Sequence, residues 1–189
     1  SANPQMRADV VKQCLGTGCI DCSEGVAILQ KMANWSRSEG EFHPFGNPHY
    51  NLEPDNGVII ARNIAAGLSR IDVAHAADYE KNLREYVSEL NAKLIEWRRQ
   101  VAPLKGLKAV SYHQDVAYLA RFTGLDFIGT LEPKPGVAPT PAHLEALVET
   151  MKQQHVALII REQQYDAKMP EFLASKTGAR VAVIATMAK

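Results

Sequence analysis

Between residues 76 and 102 the chain carries one uninterrupted amphipathic pattern, and this pattern limits the architecture more than any other feature. Leu83, Val87, Leu90, Leu94, Trp97 and Val101 recur every three or four positions, the spacing that lines one face of an α-helix. The opposite face carries Glu80, Lys81, Arg84, Glu85, Glu89, Lys93, Glu96, Arg98 and Arg99. Pro103 and Gly106 end the pattern, as helix-stop residues do. A helix of this length runs roughly 40 Å at about 1.5 Å per residue. It is long enough to cross a small domain and join two lobes.

Beyond this helix the pattern becomes regular. Strands are expected at Lys108–Tyr112, Leu125–Thr130, Val156–Ile160 and Arg180–Ala185. Helices are expected at Asp115–Thr123, closed by Gly124, at Pro141–Gln153, with Thr140 placed to cap it, and at Ala167–Thr177, stopped by Gly178. Strands alternating with helices indicate parallel βαβ units. The run Val156, Ala157, Leu158, Ile159, Ile160 is apolar on both faces, as a strand covered by helices on both sides should be. The sequence stops directly after the last expected strand, and no complete sheet is visible before residue 55. The expectation is a fold incomplete at both ends, whose half-covered sheet seeks a cover such as a second copy.

Ahead of the long helix, residues 1–48 are rich in Gly, Asn, Ser and Pro and read as loops, with one short strand or helix around Val26–Met32 at most. Residues 55–70 read as a helix, capped by Asp55 and striped by Ile60, Ile64 and Leu68. Cys14, Cys19 and Cys22 are the three cysteines, and an odd number leaves at least one without an internal partner. Their compact spacing suits one disulfide or three ordinary thiols better than a cluster, because an iron–sulfur site of this spacing needs a fourth, distant Cys.

Composition narrows the function. Of 189 residues 46% are hydrophobic, and 21 Lys+Arg balance 21 Asp+Glu. Such a chain folds into one large or two small domains. It lacks the basic surface that phosphate binding needs, so no nucleic-acid partner is expected. No apolar run approaches the length of a membrane span. The polar N-terminus, Ser1 to Gln13, is not a signal peptide. Walker, G-x-G-x-x-G and G-x-S-x-G motifs are absent, leaving nucleotide cradles and nucleophile elbows without support.

In open α/β sheets, ligands sit beyond the carboxyl ends of the strands. There the sequence offers His113, Glu132 and Glu162, one imidazole and two carboxylates able to bind a divalent transition metal or to act as acid and base. A second cluster is His43-Pro-Phe-Gly-Asn-Pro-His49-Tyr50, two histidines in a rigid Pro/Gly loop suited to a pre-organised metal ligand. His75, His143 and His155 read as surface residues.

Several of these segments, in order, resemble the zinc/manganese solute-binding proteins of bacterial ABC transporters, the ZnuA/TroA-like family of cluster A-I. Gly46-Asn-Pro-His49-Tyr50-Asn-Leu-Glu-Pro54 resembles that family's G-N-P-H-Y-W-L-D-P segment. Ser111-Tyr-His113 resembles its third-ligand segment, and Gly129-Thr-Leu-Glu-Pro-Lys-Pro-Gly136 its G-T-[IL]-E-P-K-P-G loop. Ala157–Tyr165, Thr177–Val181 and the long helix also fit. The resemblance spans roughly residues 20–185. It implies an α/β, two-lobed metal-binding-protein fold with parallel sheets joined by one long rigid helix. Residues 1–75 would be the remainder of the N-terminal lobe, 76–102 the interlobe helix and 103–189 the C-terminal βαβ lobe.

The resemblance further implies one metal held by ligands from both lobes, with His49 from the first and His113 from the second. The family's first His and last carboxylate have no counterpart in this sequence. Asn51 stands where Trp is usual and Glu53 where Asp is usual. His43 or Glu162 could substitute for a missing ligand, and Glu162 completes the expected set of His49, His113 and Glu162. The implied role is extracytoplasmic or periplasmic capture of Zn2+, with Mn2+ the alternative, and delivery to the membrane permease of an ABC transporter, without catalysis. An oxidising compartment would permit one disulfide. Two competing readings are a small α/β metal-dependent hydrolase built on His113 with Glu132 or Glu162, and an interaction or adhesin-like protein whose metal site has decayed.

Overall fold

The computed structural model describes residues 19–30, 46–134 and 136–186. The chain divides into two compact units, residues 1–100 and 101–189. Among the described residues no helix is long and apolar enough to cross a membrane.

The first unit is built on two helices, α1 (Asn56–Ile71) and α2 (Ala76–Val101), joined by a 3-10 turn at Val73–His75. The long helix forms as its pattern requires. Asp78 lies in its first turn and Arg98 and Arg99 in its last, charges that oppose the helix dipole at each end. Leu90 and Leu94 are its buried residues, and a Cβ on Gly57 would stand 2.9 Å from Leu90 Cδ2. This unit takes in all but the last residue of α2, because the helix packs on α1 through that close approach.

Two expectations for α1 are corrected. Asp55 precedes the helix but makes no capping hydrogen bond. Its carboxylate instead accepts from Arg98 Nη2 at 2.5 Å. The buried positions are Asn56, Ala65 and Gly67, whereas Ile64 is 39% exposed. The stripe turns because Ile20 packs over Gly67, where an added Cβ would lie 2.5 Å from its Cγ1. Small residues, rather than the isoleucines, admit that neighbour. The described part of the expected Val26–Met32 element, residues 26–30, has no helix or strand.

The second unit is a four-stranded parallel sheet in the order β2-β1-β3-β4. Its strands are β1 (Lys108–Ser111), β2 (Asp126–Thr130), β3 (Leu158–Glu162) and β4 (Arg180–Ile184). Helices α3 (Ala117–Thr123), α4 (Pro141–Gln153) and α5 (Lys168–Thr177) connect them. The βαβ expectation holds throughout, with ends shifted by up to two residues. Thr140 caps α4 by accepting from His143 N at 3.2 Å. Gly124 and Gly178 close α3 and α5 at φ +73° and +77°, a left-handed conformation that favours glycine.

Neighbouring residues of the central strands enter opposite cores. Val110 and Ile159 pack with Leu144, Leu147, Met151 and Leu173 of α4 and α5. Ala109 and Ile160 pack with Leu119, Leu104 and Leu107 on the other face. A Cβ on Gly129 would stand 3.0 Å from Leu147 Cδ1, so this glycine lets α4 settle on β2. The chain runs from β1 outward to β2, then returns past β1 to β3. The resulting switch point, between β1 and β3, is where open α/β sheets form a crevice at their carboxyl ends.

Candidate metal site

His113 stands two residues beyond β1, at this switch point. The backbone fixes the surrounding strand ends in register. Tyr112 N donates to Ile160 O at 2.8 Å, Leu131 N to Ser111 O at 2.9 Å, and Glu132 N to Tyr112 O at 3.0 Å. The ends of β2, β1 and β3 are therefore adjacent, as the positions of Glu132, His113 and Glu162 require.

The side chains pair selectively. His113 Nδ1 lies 2.7 Å from Glu132 Oε2, with the two side chains 14% and 11% exposed. The Tyr165 ring packs against His113 with centroids 5.9 Å apart and stacks on Tyr112 at 4.3 Å. Arg161 Nη1 donates to the Tyr165 carbonyl oxygen, which ties that aromatic wall to β3. Burial, reinforced by Glu132, pushes the Tyr165 hydroxyl up to about 12, so this wall stays neutral.

Glu162 is placed differently from the sequence expectation. It is the last residue of β3 rather than lying beyond a strand that ends at Ile160, and it is fully buried. Its backbone carbonyl accepts from Arg161 Nη1 at 3.4 Å. Burial and the neighbouring Asp115 carboxyl push its pKa up to about 8. Both Glu162 carboxyl oxygens and Asp115 Oδ1 are buried without a hydrogen-bond partner among the described residues. At neutral pH Glu162 is therefore mainly the neutral acid. Sequence reading missed Asp115 altogether, because nothing in the spacing brings residue 115 to residue 162.

His49 belongs to the first unit and follows the same logic in a loop. Asn47 is buried. Its Oδ1 accepts from His49 N at 2.9 Å, and its Nδ2 donates to Gln30 Oε1 at 2.8 Å. Beyond His49, a 3-10 turn spans Tyr50–Leu52. Asn56, also buried, donates to Tyr50 O at 2.7 Å and to Glu53 Oε2 at 3.2 Å. The G-N-P-H-Y segment is thus pinned by two interior amides, and Gly46, at φ +107°, supplies the bend before it. His49 is half-buried.

The other candidates fall elsewhere. His43 and Cys14 lie outside the described residues. Cys22 is half-buried, and its thiol is raised by burial and by Asp21. His75 is exposed beside Asp72, and His155 is exposed. His143 corrects the surface reading, since it is half-buried and its Nε2 lies 3.0 Å from Thr130 O. Among the described residues, no group of three or more His, Cys, Asp or Glu side chains is gathered closely enough to hold a metal ion.

Comparison with known proteins identifies the family. The sequence model of the family described as "Zinc-uptake complex component A periplasmic" matches residues 4–189. The high-affinity zinc uptake system protein ZnuA of Brucella abortus (strain 2308) is 29% identical over 136 residues, 72% of this chain and 41% of that protein. The chain thus spans about two-fifths of the length of this relative. A crystal structure of ZnuA superposes with a TM-score of 0.74 at 28% identity, covering 89% of this chain and 62% of that one. A zinc-bound deletion mutant of ZnuA gives 0.70 at 28% identity, covering 89% and 61%.

Proposed function

Since the chain belongs to the ZnuA family of periplasmic zinc-uptake components, we propose that it takes part in capturing a divalent transition metal outside the cytoplasm and passing it to the permease of an ABC transporter. Zinc is the preferred cargo and manganese the alternative, because imidazole nitrogens favour the softer ion. His49 and His113 are the proposed nitrogen ligands. No bond in a substrate is made or broken in this role.

The observation that carries the reading is the His113 ring, set at the sheet's switch point and held by Glu132 at 2.7 Å. Metal-ligating histidines commonly hold a carboxylate on their second nitrogen. The carboxylate expectation at Glu162 has less support. Its acid faces Asp115 and must lose a proton before it can ligate, whereas the carboxylate beside His113 is Glu132.

The test is zinc affinity by competition with a colorimetric chelator, on the wild type, His49→Ala, His113→Ala and Glu162→Gln. Removing either histidine should weaken binding more than tenfold, because the ion is left under-coordinated. Glu162→Gln should weaken binding less than either histidine variant, since Glu162 faces Asp115 and carries its proton at neutral pH. Affinity should also fall as pH is lowered toward 5, since protonated imidazole cannot ligate. Unchanged affinity in both histidine variants, or binding flat from pH 8 to 5, would overturn the reading.

A further inference from the structure

The ends of β1 and β2 carry the same small device twice. After β1, Ser111 Oγ donates to the backbone carbonyl of His113 at 2.7 Å. After β2, Thr130 Oγ1 donates to the backbone carbonyl of Glu132 at 2.7 Å. In each case a hydroxyl at the last strand residue clamps the residue two positions on, a local bond that fixes the exit of the chain. Ser111 is fully buried and Thr130 is half-buried, with the fully buried Leu131 between Thr130 and Glu132. The two clamped residues are the two partners of the 2.7 Å contact. They lie on neighbouring strands already tied by Glu132 N to Tyr112 O at 3.0 Å.

From this pairing we infer that Glu132 is a positioning residue. It accepts the Nδ1 proton of His113, so the neutral ring is held as the Nδ1–H tautomer and its lone pair is carried on Nε2. The ring nitrogens are distinct, and the partner of one decides which the other can be. Free imidazole in a side chain has no such commitment, and its rotation would have to be frozen at the moment of binding. Here the Glu132 carboxylate, the Tyr165 ring and the two hydroxyl clamps freeze it beforehand. The use of Nε2 for a metal rests on the capture reading; the tautomer does not.

The experiment has two readouts. The first is nitrogen-15 NMR of the histidine rings in the metal-free protein at pH 8, with His113→Ala assigning the resonance. The wild type should show Nδ1 protonated and Nε2 unprotonated, and Glu132→Ala should shift the ring toward the Nε2–H form. Glu132→Gln keeps an acceptor oxygen and should retain the wild-type tautomer. A wild-type spectrum with Nε2 protonated overturns the inference, whether or not Glu132→Ala folds. So does a tautomer unchanged in Glu132→Ala.

The second readout is affinity for zinc ions alone. Glu132→Ala should lose about 10–100-fold, the usual effect of removing such an outer partner, and Glu132→Gln should lose less. A loss in His113→Ala with wild-type affinity in Glu132→Ala refutes the positioning role while leaving capture intact. Unchanged affinity in His113→Ala refutes capture through this residue and leaves the tautomer result standing.

Discussion

Each unit presents one histidine from a fixed backbone, but they fix it with different chemistry. In the first, His49 sits in a loop tied by the neutral amides of Asn47 and Asn56. In the second, His113 contacts a carboxylate, and two more carboxyls, Asp115 and Glu162, are buried nearby. The packing differs in parallel. Among the described residues, the first unit's buried apolar side chains are Val26, Ala65, Leu90 and Leu94, whereas the second buries complete layers on both sheet faces. A helical pair with a loop can hold a ligand through polar pins alone. A parallel sheet offers rigid strand ends, and these bring Glu132, Asp115 and Glu162 close to His113, whereas the loop of the first unit buries one carboxylate, Glu53, against Asn56.

The largest test of this contrast is in the cores. Leu173 is fully buried among Leu144, Leu147 and Met151. Leu173→Ala should cost about 2–5 kcal/mol, the range for a large-to-small change at a site that cannot collapse. Leu90, 8% exposed on a helix whose other face is solvated, should lose no more than the low end of that range when truncated to Ala. Urea unfolding followed by far-ultraviolet circular dichroism reads both. Equal losses would remove the packing difference between the units.

The described helices and strands are legible in the sequence to within about two residues, because periodicity is a local property, whereas the Val26–Met32 expectation finds no helix or strand over residues 26–30. The α2 stripe, the βαβ alternation and the Thr140 cap each follow from residues within a turn or two of one another. The Gly129 and Gly46 motifs were visible too, though their reasons, the Leu147 approach and the positive φ, were not. What stayed hidden was long-range pairing. Glu132 and His113 are 19 positions apart. Their contact follows from the β1–β2 register, and the Asp115–Glu162 contact from the return to β3. The Ile64 error has the same origin, since the packing side of α1 is chosen by Ile20, a partner far away in sequence.

The buried carboxyl of Glu162 gives the second test, a pH dependence expected of the second unit's core. An ordinary glutamate titrates at 4.5, and this one at about 8. Below about pH 4.5 the folded and unfolded chains both hold the proton. Between there and pH 8 the unfolded chain has released it and the folded one retains it. Raising the pH through this window therefore favours unfolding, with a slope bounded by about 1.4 kcal/mol per pH unit for one proton. The metal-free urea midpoint should fall from pH 5 to pH 8, and Glu162→Gln should flatten the curve and raise stability at pH 8. A Leu90→Ala background should leave the slope unchanged, because no such carboxyl lies in that contact. A flat wild-type profile would mean that Glu162 reaches water or a cation in solution.

The smallest test concerns how α1 is held at its start. Sequence reading makes Asp55 a helix cap, and a lost cap costs about 1 kcal/mol, of which the hydrogen-bond part persists in salt. The structure instead pairs Asp55 with Arg98 at 2.5 Å, with the side chains 37% and 56% exposed. An exposed ion pair contributes about 0.2–1 kcal/mol and is screened by salt. The two roles separate cleanly. If the pair is the whole effect, Asp55→Ala and Arg98→Ala should each lower stability by the same small amount. The double variant should then cost no more than either, and all three should converge on the wild type in about 1 M NaCl, where the screening length shrinks to about 3 Å. If capping dominates in solution, Asp55→Ala alone should be destabilising, and part of its loss should remain in high salt. The ion pair spans from the residue before α1 to the last turn of α2. The first outcome would therefore show that the polar pins of the first unit extend beyond the His49 loop to the helix pair that carries it.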